Sequence, residues 1–172
     1  MNTFAAIDFE TADYESDSAC SLSIVRVNET TIEKQFTCLI RPPREEFVFT
    51  YIHGISWADV AEEPAFHEHW PQITEILNGC DFIAAHNAPF DKKVLYSCCQ
   101  KGNILPPTHP FLCTVILSRS LWNFFPTKLP DVCKKLGIKL NHHDAASDAL
   151  ACAKIVIAAI EQGKDFSKWV KS

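Results

Sequence analysis

Three extended segments follow one another within the first forty residues, and no other stretch of the chain narrows its fold as much. Thr3 to Phe9 is short and apolar and runs into carboxylates at Asp8 and Glu10, the pattern of a buried strand reaching an edge of a sheet. Residues 20–27 alternate in polarity, and residues 31–40 form a third extended run, with Asn28-Glu29-Thr30 between them as a hairpin turn. Short connections of this kind predict an antiparallel three-strand meander.

After residue 40 the pattern changes. Arg41-Pro42-Pro43-Arg44 interrupts any strand, and residues 51–60 predict a surface loop leading into a short helical turn. A short helix is expected over 70–78, a buried strand over 82–85 and a helix over 90–101. Further on, a strand is expected at 110–113, a helix from Thr114 to Trp122, and a helix from Leu129 to Leu136 closed by Gly137. The final helix, over 145–161, is almost uninterrupted Ala, Cys, Ile, Val and Leu apart from Lys154, so most of its surface must be buried. Strand, loop and helix in this order predict an α/β fold: a mixed sheet, antiparallel meander plus parallel strands, flanked by helices.

At 172 residues the expectation is one domain spanning residues 1–172, with no repeat or linker to mark a second. Hydrophobic residues at 47% and charged residues at 22% suit an ordinary globule, with disorder expected only at the termini. No stretch approaches a membrane span, and the start lacks the layout of a signal peptide, so a cytoplasmic location and no membrane partner are expected. The eight cysteines are scattered and read as small buried apolar residues; Cys98 and Cys99 are adjacent and lack the spacing of a zinc or redox pair. The formal charge of −5 argues against broad phosphate binding but is compatible with a nucleic acid held at its end, since a site that gathers divalent cations is acidic before loading.

Asp8 and Glu10, two apart on a strand, share one face. At an effective dielectric of about 20, carboxylates roughly 5 Å apart repel by about 3 kcal/mol, so something positive must offset them. Alone, such a pair would be read as acids facing solvent at a strand end. Two further acids change that reading. Asp91 begins the helix after the loop His86-Asn87-Ala88-Pro89, where a carboxylate also suits the helix dipole. Asp148 lies on the buried final helix, and charges are seldom buried without a partner or a metal. His86 by itself reads as a buried histidine hydrogen-bonded to backbone. His143 precedes Asp148 by five residues, so both can face one end of the sheet if the helix starts near residue 144, where Asn141 and Asp144 suit an N-cap.

Asp8-Phe9-Glu10-Thr11, His86-Asn87-Ala88-Pro89-Phe90-Asp91 and His143-Asp144-Ala145-Ala146-Ser147-Asp148, in this order, resemble the three exonuclease motifs of the DnaQ-like DEDDh family. The likeness is greatest to the proofreading epsilon subunit of DNA polymerase III and its stand-alone relatives. Tyr51-Ile52-His53-Gly54-Ile55 also resembles a segment near the substrate in that family. The resemblance implies a ribonuclease H-like fold and a 3′-5′ exonuclease acting by two divalent ions, Mg²⁺ or Mn²⁺. Asp8, Glu10 and Asp148 would hold the first ion, Asp8 would reach the second, and Asp91 would support that second ion. His143 would be the general base. Phe9, Thr11, His53, Ile55 and Phe90 are candidates for contacting the terminal nucleotides, although the apolar ones also suit a core. Hard oxygen ligands and a histidine that titrates near neutrality agree with these roles.

His142 and His143 start from adjacent residues, and their rings are expected not to share one orientation toward the site. His143 is then the base and His142 a loop or cap residue. After Thr11 the family continues with a glycine-containing loop, whereas here Ala12-Asp13-Tyr14-Glu15-Ser16-Asp17-Ser18 follows, which bears on the terminal-base pocket and not on the metal chemistry. The leading reading is hydrolysis of single-stranded DNA from its 3′ end. The alternatives are trimming of RNA or short oligonucleotides, and a non-catalytic binding or scaffold module. The partners implied are a single-stranded nucleic acid 3′ end and DNA replication or repair proteins; with no polymerase, helicase or clamp-binding segment in the sequence, membership of a replicase is not inferred.

Overall fold

The structure is a computed structural model describing residues 3–171. Its six strands are β1 (Thr3–Thr11), β2 (Ala19–Asn28), β3 (Thr31–Leu39), β4 (Phe82–Ala85), β5 (Phe111–Cys113) and β6 (Val170–Lys171). Its helices are α1 (Thr50–His53), α2 (Trp57–Val60), α3 (Trp70–Leu77), α4 (Ala88–Lys101), α5 (Thr114–Trp122), α6 (Leu129–Leu136) and α7 (Ala145–Glu161), with 3₁₀ turns at Phe66–His69 and Ser167–Trp169. The sheet order is β3-β2-β1-β4-β5-β6. The meander is antiparallel, β1 to β4 and β4 to β5 are parallel, and β6 closes the far edge antiparallel to β5. The expected mixed sheet is therefore present; the strand β6 was not anticipated. No described helix is long and apolar enough to cross a membrane.

Alternation along β1 sorts the core into two layers. Ala5, Ile7 and Phe9 face α3 and α4, together with Leu22, Ile24, Ile73, Ile76, Val94 and Leu95. Phe4 and Ala6 face the opposite layer, built on α7 with Ala149, Cys152, Ala153 and Val156. Phe4 and Phe82 are register partners on β1 and β4, and their rings stack with centroids 5.1 Å apart. The small residues of α7 that touch the sheet let the helix lie close over β1 and β2. Residues 149, 152, 153 and 156 recur at the 3.6-residue period, and Ala145 and Asp148 extend the same stripe by one turn.

That extension positions the site. Asp8 and Glu10 continue the row of Phe4 and Ala6 toward the end of β1, on the face covered by α7. The inward stripe of α4 likewise runs Ala88, Asp91, Val94, Leu95 and Cys98, so its first turn carries an acid where later turns carry apolar residues. Helix α4 begins two residues earlier than its periodicity indicated, at Ala88, because Asn87 turns the chain with φ of 75° and Pro89 is tolerated in a first turn. All eight cysteines are free, and six are buried as small apolar residues; Cys38 and Cys113 are half-buried.

Candidate active site

Oxygens of Asp8, Glu10 and Asp148 lie within 4.8 Å of one another. Asp148 is 4% exposed and Asp91 only 2%. Asp91 stands outside that close group; its Oδ1 accepts a hydrogen bond of 3.2 Å from the Phe9 amide, which ties the first turn of α4 to the strand between the two β1 acids. Two carboxylate oxygens, Asp8 Oδ2 and Asp148 Oδ1, are buried with no hydrogen-bond partner. An unpartnered buried acceptor costs about 1–3 kcal/mol, more when charged, so a stable fold keeps such atoms only where something else satisfies them.

Burial raises the pKa of all four carboxylates, and neighbouring acids add to the shift at Asp8, Glu10 and Asp91. Burial pushes Asp8 well above the carboxylate range, and the charges of Asp91, Asp148, Glu10 and Asp144 push the same way. Burial, followed by Asp148 and Asp144, lifts Glu10 to about 7. Asp91 is raised well above its ordinary value by burial, against the pull of the Phe9 amide. Asp148 is raised by burial, although His142 and the His143 amide oppose the shift.

The two histidines depart from expectation. Their rings stack with centroids 3.8 Å apart and planes inclined by 26°, so they do share an orientation toward Asp148. His142, expected as a loop or cap residue, places Nδ1 at 2.9 Å from Asp148 Oδ2, and the His143 amide donates to the same oxygen at 3.2 Å. The physical reason is backbone: His143 has φ of 67°, and this left-handed turn folds its ring back over its neighbour. Ring nitrogens of both histidines and an oxygen of Asp148 lie within 4.8 Å of one another. Partial burial and the neighbouring His142 lower the pKa of His143 despite Asp148, which favours a neutral imidazole. Asp144 is the N-cap of α7, accepting from the Ala146 amide, as its position suggested.

A family model described as Exonuclease, of the RNase T type, matches residues 5–156. The chain belongs to the DnaQ-like 3′-5′ exonuclease family. It is 30% identical over 166 residues to a PolC-type DNA polymerase III of Thermotoga petrophila, covering 94% of this chain and 12% of that protein. It therefore spans only about an eighth of the length of the PolC-type relatives it matches. It is 27% identical over 168 residues to the DNA polymerase III epsilon subunit of Aquifex aeolicus, covering 93% of this chain and 81% of that subunit. Its fold resembles that of Exonuclease X, solved in complex with 5′ overhanging duplex DNA, with a TM-score of 0.79 and 23% identity over 98% of this chain and 97% of that one. The ribonuclease H-like fold expected from the motifs is thus the fold observed.

The remaining sequence candidates fall on both sides of the surface. Phe9 is 3% exposed and its ring packs against Phe66, so the side chain presents no surface to a ligand. Thr11 is buried, and its carbonyl lies 3.1 Å from His53 Nε2, while His53 Nδ1 accepts from the Ile55 amide at 3.1 Å. Because Nδ1 accepts, Nε2 carries the proton of the neutral ring and donates to Thr11; burial lowers the pKa of His53, and His143 adds to this, against the Thr11 hydrogen bond, which raises it. Ile55 is half-buried, and Phe90, beside Asp91, is exposed. His86 is a structural residue, as its own context indicated: it contacts Thr114 Oγ1 at 2.8 Å and the Thr127 carbonyl at 3.0 Å, and burial lowers it to about 4. The contact of His142 with Asp148 and the charge that Asp144 adds were missed, although both residues border the third motif. Thr127 was missed because its irregular segment carries no periodicity.

Proposed function

We propose that this chain is one exonuclease domain that hydrolyses single-stranded DNA from its 3′ end and releases nucleoside 5′-monophosphates, using two divalent ions. The observation that carries the reading is the meeting of Asp8, Glu10 and Asp148, two of which keep a buried oxygen that accepts nothing. This donor set fits a hard divalent cation: it is all oxygen, and its acids repel one another unless a positive charge joins them. Asp8, Glu10 and Asp148 would hold a first Mg²⁺ or Mn²⁺, and Asp8 with support from Asp91 a second. Such ions, when bound, stabilise the charge on the entering and leaving oxygens of an in-line displacement.

The chain's own groups have separable tasks in this reading. His142 and the His143 amide hold Asp148 Oδ2, which leaves Oδ1 for the ion. His143, neutral at physiological pH, takes a proton from the attacking water. Exposed Phe90 and half-buried Ile55 face the terminal nucleotides, and the Thr11 carbonyl sets the His53 ring. The relatives named as polymerase III components support work alongside DNA replication or repair proteins, in the cytoplasm.

Purified protein is expected to shorten a 5′-labelled single-stranded DNA one nucleotide at a time with Mg²⁺ or Mn²⁺, and to leave it intact in EDTA. A circular single strand should survive. Comparable cutting of the circle would make the enzyme an endonuclease, and faster loss of a matched RNA would move the assignment to RNA trimming.

Metal should also stabilise the fold, and increasingly so as pH rises. In the metal-free protein the acids hold protons that the unfolded chain releases from about pH 4 upward, so stability falls as pH climbs toward the folded value of about 7 at Glu10. A cation must displace those protons and competes best above that value. At about 100 times its Kd, the ion contributes about 2.7 kcal/mol, or about 5–10 °C of melting midpoint. The gap between metal-loaded and EDTA-treated midpoints should therefore be wider at pH 8 than at pH 5.5. A gap that is constant or narrows would contradict a carboxylate site.

A further inference from the structure

A cavity of about 390 Å³ opens on the sheet face opposite the acids. Its floor includes Ala19, Ile40, Phe66 and Cys98, all members of the core layer under α3 and α4, whereas Asp8 and Glu10 lie on the α7 face. The volume is within the range of about 300–1,000 Å³ usual for small-molecule sites. Arg41, His67 and Lys101 line it, and neither Arg41 nor Lys101 forms an ion pair among the described residues. The one acid in its wall, Asp17, is engaged by Arg44, which also clasps Asp13. In a chain of net charge −5, the two cationic side chains Arg41 and Lys101 around one cavity are a local reversal of sign. Half-buried Trp57 and exposed Pro43 supply apolar walls. The last wall depends on Gly102: a Cβ there would come within 2.8 Å of the His67 Cβ, so the end of α4 closes on the His67 turn only because residue 102 is glycine. A polar cavity lined by Ser97 and Gln100 adjoins through Asp17 and Lys101.

We infer that this cleft is a second binding site, separate from the acids, for a small anion bearing a planar ring, of the nucleoside monophosphate class. Arginine and lysine meet the phosphate, with arginine able to do so through two parallel hydrogen bonds, and the ring packs against the Trp57 indole and Pro43. The sugar has the serine and glutamine of the adjoining cavity within its surroundings. The inference stands apart from the catalytic reading, because none of these residues belongs to the acid site.

The test uses EDTA-treated protein, in which the acid site carries only repulsive charge toward phosphate. Adenosine 5′-monophosphate is titrated by calorimetry and by tryptophan fluorescence, with adenosine and inorganic phosphate as fragments. The nucleotide should bind about ten-fold or more tighter than either fragment, and an Arg41→Ala, Lys101→Ala double variant should weaken it by about ten-fold or more. The same variant should melt like the parent and degrade a short single strand within about two-fold of its rate, since both residues are exposed and line a cavity on the other face of the sheet from the acids. Trp57→Phe should remove the fluorescence change while calorimetry still detects binding. The inference is overturned if the nucleotide gives no binding up to millimolar concentration, if the double variant binds as the parent does, if phosphate alone binds equally well, or if the fluorescence change survives in Trp57→Phe.

Discussion

Asp148→Ala is expected to lower the metal-dependent rate by about 10³-fold or more without lowering the melting midpoint of the EDTA-treated protein. The two halves of this result have one cause. With metal bound, Asp148 Oδ1 is a ligand, and losing charge stabilisation worth several kcal/mol costs a factor of ten for every 1.36 kcal/mol. Without metal, the same carboxylate is a liability: it is nearly fully buried and burial holds its pKa up, and its charge raises Asp8 and Glu10 in turn. Alanine removes that repulsion and fits the small-residue stripe of Ala145 and Ala149 on either side. A variant that keeps activity within ten-fold of the parent would dismiss the ligand role. One that is inactive and also melts well below the parent in EDTA would show that Asp148 serves the fold instead.

His143→Ala is expected to lose about 10²–10⁴-fold in kcat while metal-induced stabilisation persists, the scale of a general base. The neighbouring histidine is a sharper control than the sequence suggested. Because His142 touches Asp148 Oδ2 and not the free oxygen, His142→Ala should act mainly through metal binding, raising the concentration of Mg²⁺ or Mn²⁺ needed while kcat at saturating metal stays within about ten-fold. The pH profile separates the two further. At saturating metal the parent rate should rise with pH and level off by neutrality, since His143 is lowered from the ordinary histidine value by partial burial and by His142. That rising limb should disappear in His143→Ala and remain in His142→Ala. Equal losses at saturating metal in both variants would point to collapse of the left-handed turn that stacks the rings, and a loss confined to His142→Ala would reassign the base.

The elements of this protein were legible in its sequence because they are local. A short apolar run marked β1, alternation marked β2 and a further extended run β3, a 3.6-residue stripe marked α7, and Gly137 closed α6 where a left-handed residue was needed, with φ of 68°. The same two periods placed the acids: a strand repeat puts Asp8 beside Glu10, and a helix repeat makes Asp91 and Asp148 first-turn members of buried stripes. Residues 51–53, read as loop, belong to the one-turn helix α1, and two other positional errors have equally local causes. Helix α4 gained two residues from an Asn-Ala-Pro start that carries little apolar period, and β6 is only two residues long and has no period to detect.

What tertiary structure alone decided is which neighbours those residues acquire. Nothing near Phe9 in sequence shows that its amide is the partner of Asp91, 82 residues away, or that its ring is spent on Phe66. The stacking of His142 on His143 follows from one backbone dihedral, and a positive φ at a non-glycine residue leaves little trace in residue type. The basic cleft behind the sheet gathers Arg41, Trp57, His67 and Lys101 from four separate segments, none bearing a pattern by itself. Secondary structure is specified by contacts a few residues apart, which a sequence displays; side-chain partnership is specified by packing across the fold, where the energy depends on distances that the order of residues does not contain.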